Sequence, residues 1–271
     1  MCGAVSGPSP TGRALPELAR SFGRIAADYD AVRPEYAPEA LARAAKALRL
    51  GPEARVVDLA AGSGTLTRAL AERFADVVAV EPDDAMRAIL ARRSPQVEAL
   101  GGTAERIPLR GKSADAVFVG DAFHWFDGSA AAAEIARVLR PRGGVALLWN
   151  QWWSDRADGT TDSLEPALPA GARALLDDAY VRSGRAAAAN EKADPVAAFA
   201  RGPFAPLVEE TFVRARELTA AEVVDLYCTV SSVASLRAHE REELKRELLP
   251  LLAATYRLEI STVLVWTRLC R

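Results

Sequence analysis

The chain has 271 residues, half of them hydrophobic, enough to bury a sizeable core in one large domain or two small ones. Its 34 Lys and Arg against 36 Asp and Glu give a net charge of −2, and this with a pI near 5.9 argues against a general electrostatic grip on nucleic acid, which needs many basic contacts. The scattered Cys2, Cys228 and Cys270 suggest neither a disulfide framework nor a zinc site, and no run approaches the roughly 18 apolar residues of a membrane span, so a soluble, cytoplasmic, metal-free protein is expected.

Residues 1–13 hold Gly, Ser and Pro with little to bury and read as a disordered tail. A helical pattern runs from Leu15 through Tyr29. The stretch Tyr29-Asp-Ala-Val-Arg33-Pro-Glu-Tyr36-Ala-Pro breaks it, and a second helix is expected from about Pro38 to Leu48. Next comes Arg55-Val-Val-Asp-Leu-Ala-Ala-Gly-Ser-Gly-Thr-Leu-Thr67, a buried strand with Asp58 at its end, a small-residue turn and a helix start. Ala60, Ala61, Gly62, Ser63 and Gly64 present almost no side-chain bulk, so a ligand can lie against backbone N–H groups at the mouth of the helix.

The spacing separates two ligand classes. A dinucleotide fingerprint reads G-x-G-x-x-G, whereas Gly62-x-Gly64 is followed by Thr67 in the third position. An acidic Asp58 also sits badly beside a pyrophosphate and well beside an ammonium group. Glu81 closes the apolar run Val77-Val78-Ala79-Val80, where a carboxylate can accept from both ribose hydroxyls. This pattern resembles the class I S-adenosylmethionine (SAM) dependent methyltransferases, whose motif reads D/E-x-G-x-G-x-G; Ala60 stands where the first glycine belongs. The resemblance implies SAM as cofactor, with Asp58 near the methionine ammonium, Ala60, Ala61, Gly62 and Gly64 beside the ligand, and Glu81 on the ribose.

A helix near 65–75, a strand at 77–81, a helix at 83–93 and a strand near 96–100 alternate as a doubly wound fold requires. Pro82 and the acidic helix start after it place Met86 either on an adenine face or in the core. By resemblance, Thr103-Ala104-Glu105 fills the loop that touches adenine, with Glu105 accepting from the adenine amino group or simply solvated.

A fourth strand, Asp115–Gly120, runs into Asp121-Ala122-Phe123-His124-Trp125-Phe126-Asp127, where strand ends open into the cleft of an α/β sheet. Asp121 and Ala122 are expected beside the cofactor. His124 is either a base that takes the acceptor's proton or a structural residue holding the loop. The Arg-Pro-x-Tyr segment at Arg33–Tyr36 and His-Trp-Phe-Asp at 124–127 resemble relatives of the trans-aconitate methyltransferases, which implies a lid in which Tyr29 and Arg33 reach the cofactor. A helix near 128–139 and Pro141-Arg-Gly-Gly144 lead into a strand over Val145–Trp149. Trp149, Trp152 and Trp153, with Phe123, Trp125 and Phe126, are expected to wall a pocket for a hydrophobic or planar acceptor rather than only cap the sheet edge.

Residues from about 154 to 204 read as helical and irregular, 206–218 as a strand, 220–230 as a helix, 239–256 as another, and the run from Leu258 as a final strand. The expected whole is a Rossmann-like, doubly wound α/β fold. Its seven-stranded sheet is mostly parallel with the last strand antiparallel. After the tail one domain spans 14–271, with lid helices at 14–50 and helical segments at about 150–205 and 219–257 roofing the substrate site. The expected activity is in-line methyl transfer from SAM to a small molecule, without nucleic-acid or membrane partners. Its rivals are SAM-dependent cyclisation or rearrangement, a nicotinamide-dependent oxidoreductase, and a non-catalytic SAM-binding regulator.

Overall fold

A computed structural model of the chain describes residues 33–151, 168–183 and 194–270. In chain order the elements are α1 (Pro38–Leu48), β1 (Arg55–Leu59), α2 (Thr65–Ala71), β2 (Asp76–Val80), α3 (Asp84–Arg93), β3 (Glu98–Leu100), β4 (Ala114–Gly120), α4 (Gly128–Val138), β5 (Leu139–Gln151), α5 (Ala170–Arg182), α6 (Pro195–Ala200), β6 (Val208–Thr219), α7 (Ala220–Cys228), α8 (Ser231–Ala234), α9 (Ala238–Leu248) and β7 (Thr255–Arg268). Short 3-10 turns occupy Phe123–Trp125 and Leu249–Leu251. Helix α1 begins with Pro38 in its first turn, where a missing N–H costs nothing.

The seven strands form one sheet in the order β3-β2-β1-β4-β5-β7-β6. Strands β1 to β5 pair in parallel, while β7 lies antiparallel to both β5 and β6. The near-continuous apolar runs of the inner strands follow from burial on both faces. Val56, Phe118, Ala146, Leu148 and Leu264 pack with α1 and α2 on one side; Val57, Val117, Val145, Leu147 and Val265 pack with α4 and α6 on the other. Both sets are shielded from solvent, and period-two alternation assigns each residue its face.

Two boundaries differ most from the sequence expectation. Strand β5 starts at Leu139 rather than Val145. Its pairing with β4 jumps from Ala114–Leu139 to Ala116–Gly144, so the Pro-Arg-Gly stretch is accommodated as an irregularity within the strand, with Arg142 at φ 68. The helix expected to reach Tyr256 ends at Leu248, because Pro250 lacks the N–H that a helix interior needs. Tyr256 lies instead in β7, paired with Leu218.

The β6–β7 ladder positions the upper layer. Strand β5 ends at Gln151 opposite Ser261, so Thr255–Ile260 and their partners Arg214–Thr219 run past the C-terminal ends of the parallel strands. There, Leu218, Tyr256, Leu258 and Ile260 carry Val223, Leu226 and Tyr227 of α7, and a second cluster joins α5, α7 and α9. This layer therefore sits at the end of the sheet where α/β proteins bind ligands. Among the described residues no helix is long and apolar enough to cross a membrane, and no cluster of His, Cys, Asp and Glu is placed to hold a metal.

Candidate active site

Beyond Leu59 the chain turns sharply into α2. Ala60, Gly62 and Gly64 all take left-handed conformations, at φ 58, 57 and 95. Ala60 thus adopts the backbone that a glycine takes freely, at a cost of about 1–2 kcal/mol from its Cβ. The two glycines serve different ends. A Cβ on Gly64 would stand 3.0 Å from Cγ of Leu90, so this position lets α2 pack against α3, whereas a Cβ on Gly62 would meet nothing within 4 Å.

The turn is fixed from β2. Ala61 donates its N–H to the Val80 carbonyl at 3.1 Å, and Gly62 donates to Oε2 of Glu81 at 2.8 Å. The other oxygen of Glu81 accepts the Asp83 N–H at 2.9 Å. Burial pushes the Glu81 carboxyl above its ordinary value, against the pull of these two backbone donors.

Asp58 lies one residue short of the end of β1 and is fully buried. Its Oδ2 accepts the Thr67 hydroxyl at 2.5 Å, while its Oδ1 is buried with no hydrogen-bond partner among the described residues. Burial raises the carboxyl from 3.8 to about 7, although the Thr67 hydroxyl pulls it down. A buried polar atom left unmatched in this way is costly, which suits it to a ligand that brings a donor.

The facing wall comes from β4, β5 and the segment before α1. The Tyr36 hydroxyl donates to Oδ2 of Asp121 at 2.8 Å, and the Asn150 N–H donates to Oδ1 at 3.2 Å. Asp121 itself sits at φ 49, and burial raises its carboxyl while Arg33, Tyr36 and Asn150 oppose the shift. Gly120 is required beneath this contact, since a Cβ there would lie 2.5 Å from the Tyr36 hydroxyl oxygen. Arg33 donates to the Thr229 carbonyl at 3.0 Å, joining the same segment to the end of α7.

Between these walls lies a cleft of about 520 Å³, counted with the space that opens to solvent. Of the residues expected to bind the cofactor, Arg33, Asp58, Ala60, Ala61, Gly62 and Asp121 line it. Ser63 of the small-residue turn lines it too, as do Thr65, Leu66, Tyr36 and Asn150, which the sequence had not singled out for the site. Tyr36 belongs to the quoted Arg-Pro-x-Tyr segment, but Asn150 carries no local sequence signal. Glu81 meets the cleft through Gly62, and Gly64 serves packing.

Other expected residues fall elsewhere. Met86 is buried and donates its N–H to the Asp83 side chain, Pro82 and Thr103 are exposed, and Ala104 is in the core. Glu105 is exposed and accepts the Asp127 N–H at 3.0 Å. Ala122 is buried in that same core.

The aromatic wall needs correction at Phe123. Its side chain is fully buried, packed edge-on to Phe126 and tilted against Phe199 with ring centroids 5.5 and 5.4 Å away, because an apolar ring following a strand end finds more cover in the core than in a cleft. Trp125 and Trp149 are half-buried against that core. His124 stands in the short turn with its ring 4.8 Å from that of Trp125, and neither lines the cleft. Tyr29, Trp152 and Trp153 lie outside the described residues.

Residues 57–147 match the family model of the methyltransferase domain. This segment is similar to a methyltransferase domain. An uncharacterized methyltransferase of Mycobacterium tuberculosis is 47% identical over 134 residues, covering 49% of this chain and 54% of that protein. A demethylmenaquinone methyltransferase of a Mycobacterium species is 37% identical over 140 residues, covering 50% and 60%. The chain thus spans about half the length of the curated relatives it matches. Among solved structures, a candidate antibiotic-pathway methyltransferase from Anabaena variabilis shares the fold with a TM-score of 0.56 at 20% identity, covering 83% of this chain and 95% of that one. None of these three is named as a trans-aconitate methyltransferase, so that narrower resemblance rests on the Arg33–Tyr36 and His124–Asp127 motifs. The matched segment contains the glycine turn, Glu81 and Asp121, whereas Tyr36, Asn150 and all of β6 and β7 lie outside it.

Proposed function

We propose that this protein transfers a methyl group from SAM to a small-molecule acceptor by in-line displacement. The observation that carries the reading is the unmatched, buried Oδ1 of Asp58 in a cleft where Gly62 leaves open space beside the backbone. A ligand with a cationic N–H donor and a flat polar body fits that combination. The similarity to a methyltransferase domain supplies the family context for choosing SAM over a dinucleotide.

Bound there, SAM supplies a methyl carbon already activated by its sulfonium. The chain has to hold the donor, align the acceptor and exclude water, and such alignment at about 3–3.5 Å can carry much of the rate. Asp58 receives the ammonium group. Glu81 keeps lone pairs beyond the two that Gly62 and Asp83 use, and these would accept from the ribose hydroxyls. Met86, Pro82 and the Thr103–Glu105 loop belong to the adenine end of the same reading. Among the described residues His124 does not line this cleft, so the reading rests on positioning and requires no base at this imidazole.

The test is a turnover screen of purified protein with SAM and a panel of small metabolites, read by mass spectrometry for both products. A methylated acceptor together with S-adenosylhomocysteine is the expected result. Product formed without S-adenosylhomocysteine would move the chemistry to rearrangement. Tight SAM binding with no turnover on any acceptor would leave a regulator.

A further inference from the structure

We infer that Thr262 is a positioning residue for the donor site, pegging the Pro34–Ala37 segment to the sheet so that Tyr36 and Arg33 close one wall of the cleft. The inference rests on the reading of that cleft as a SAM site.

Thr262 occupies the middle of β7, opposite Asn150 on β5 and Phe212 on β6, and is fully buried. A hydroxyl amid a sheet interior must find partners, and this one finds two. It donates to Oδ1 of Asn150 at 2.6 Å and accepts the Ala37 N–H at 3.1 Å. With its oxygen taken, the Asn150 amide turns its nitrogen to the Pro34 and Glu35 carbonyls, at 2.8 and 3.1 Å. The Asn150 backbone N–H then reaches Asp121, whose other oxygen holds the Tyr36 hydroxyl.

The bonds form a closed circuit: Ala37 to Thr262, Thr262 to Asn150, Asn150 to Pro34 and Glu35, and Asn150 through Asp121 to Tyr36. Every hydrogen has one consistent direction. The Thr262 proton is committed to Asn150, which leaves its lone pair for Ala37, and the amide orientation of Asn150 follows from the two carbonyls it faces. Pro34, Tyr36, Asp121 and Asn150 all line the cleft, whereas Thr262 does not, so its effect on a ligand passes through them. Neither Asn150 nor Thr262 falls in the segment shared with the methyltransferase family model, which makes the peg a contribution of the chain's second half.

Thr262→Val keeps the shape and removes the hydroxyl, leaving the Asn150 oxygen and the Ala37 N–H buried without partners; Thr262→Ser keeps the hydroxyl. Calorimetric titration with S-adenosylhomocysteine, at a temperature where circular dichroism shows each variant fully folded, reads the effect. Thr262→Val should weaken binding about tenfold, the scale of losing coupled buried hydrogen bonds, and Thr262→Ser should stay within about twofold of wild type. A purely structural hydroxyl would lower the melting temperature and leave the affinity of the folded protein unchanged, and that result overturns the inference. Should Thr262→Val not fold, hydrogen exchange on the wild type decides: S-adenosylhomocysteine must slow exchange at the Tyr36 and Ala37 amides, and unchanged exchange there overturns it. Wild type that does not bind the ligand at all removes the donor-site reading, whereas wild-type binding matched by Thr262→Val removes the peg alone.

Discussion

The Glu81 carboxylate holds the Gly62 N–H at 2.8 Å, so the end of β2 sets the shape of the turn that follows β1. Glu81→Ala leaves the Gly62 and Asp83 N–H groups without their acceptor and removes the group assigned to the ribose. S-adenosylhomocysteine affinity should fall about 10- to 100-fold, in keeping with hydrogen bonds to a charged group. Calorimetry checks this, and unchanged affinity would remove Glu81 from the site.

The three left-handed positions of the turn should respond differently to substitution. Gly64→Ala meets both an unfavourable φ and Leu90 at 3.0 Å, and should destabilise by about 1–3 kcal/mol in urea denaturation. Gly62→Ala meets no neighbour but carries the strain of φ 57, about 1–2 kcal/mol, and because Gly62 lines the cleft it should also weaken ligand affinity. Ala60→Gly removes the strain at φ 58 but gains unfolded-state freedom, and should lie between neutral and about 1 kcal/mol stabilising. A stability loss at Ala60→Gly would contradict the strain argument.

Asp58 predicts a pH dependence of definite sign. Its carboxyl is raised from 3.8 to about 7 by burial, so the ligand-free native state binds this proton more tightly than the unfolded chain does. The contribution of Asp58 to stability is therefore largest at low pH. It is lost as pH rises through the window from 3.8 to about 7, above which it changes no further. A cationic ligand favours the ionised carboxylate, so its affinity should rise across the upper part of that window with release of a proton. Titrations near pH 6, in buffers of different ionisation enthalpy, read the release. Asp58→Asn should abolish it, and equal heats in all buffers with the wild type would contradict the assignment.

Much of this was legible in the sequence because the informative signals are local. The short, β-branched apolar runs around Val56, Val77 and Val117 read as strands buried on both faces, and the small residues from Ala60 to Gly64 as a turn with room for a ligand. The facing wall was harder to read. Asn150 and Thr262 are 112 positions apart and meet only because β7 returns antiparallel to β5, which no local pattern encodes. Phe123 misled for a related reason: its position after a strand end suggested the cleft, but its neighbours in space, Phe126 and Phe199, draw it into the core. Pro250 did carry a local signal, and it ends the helix where a proline should.

The most direct test of the account is a calorimetric titration of ligand-stripped wild-type protein with SAM, alongside Asp58→Asn. The account predicts saturable binding by the wild type in roughly the micromolar range and a loss of about tenfold or more in the variant, which keeps the shape of Asp58 without its charge. Absence of heat from the wild type at about millimolar SAM, near the weak end of the affinity scale, would contradict the account.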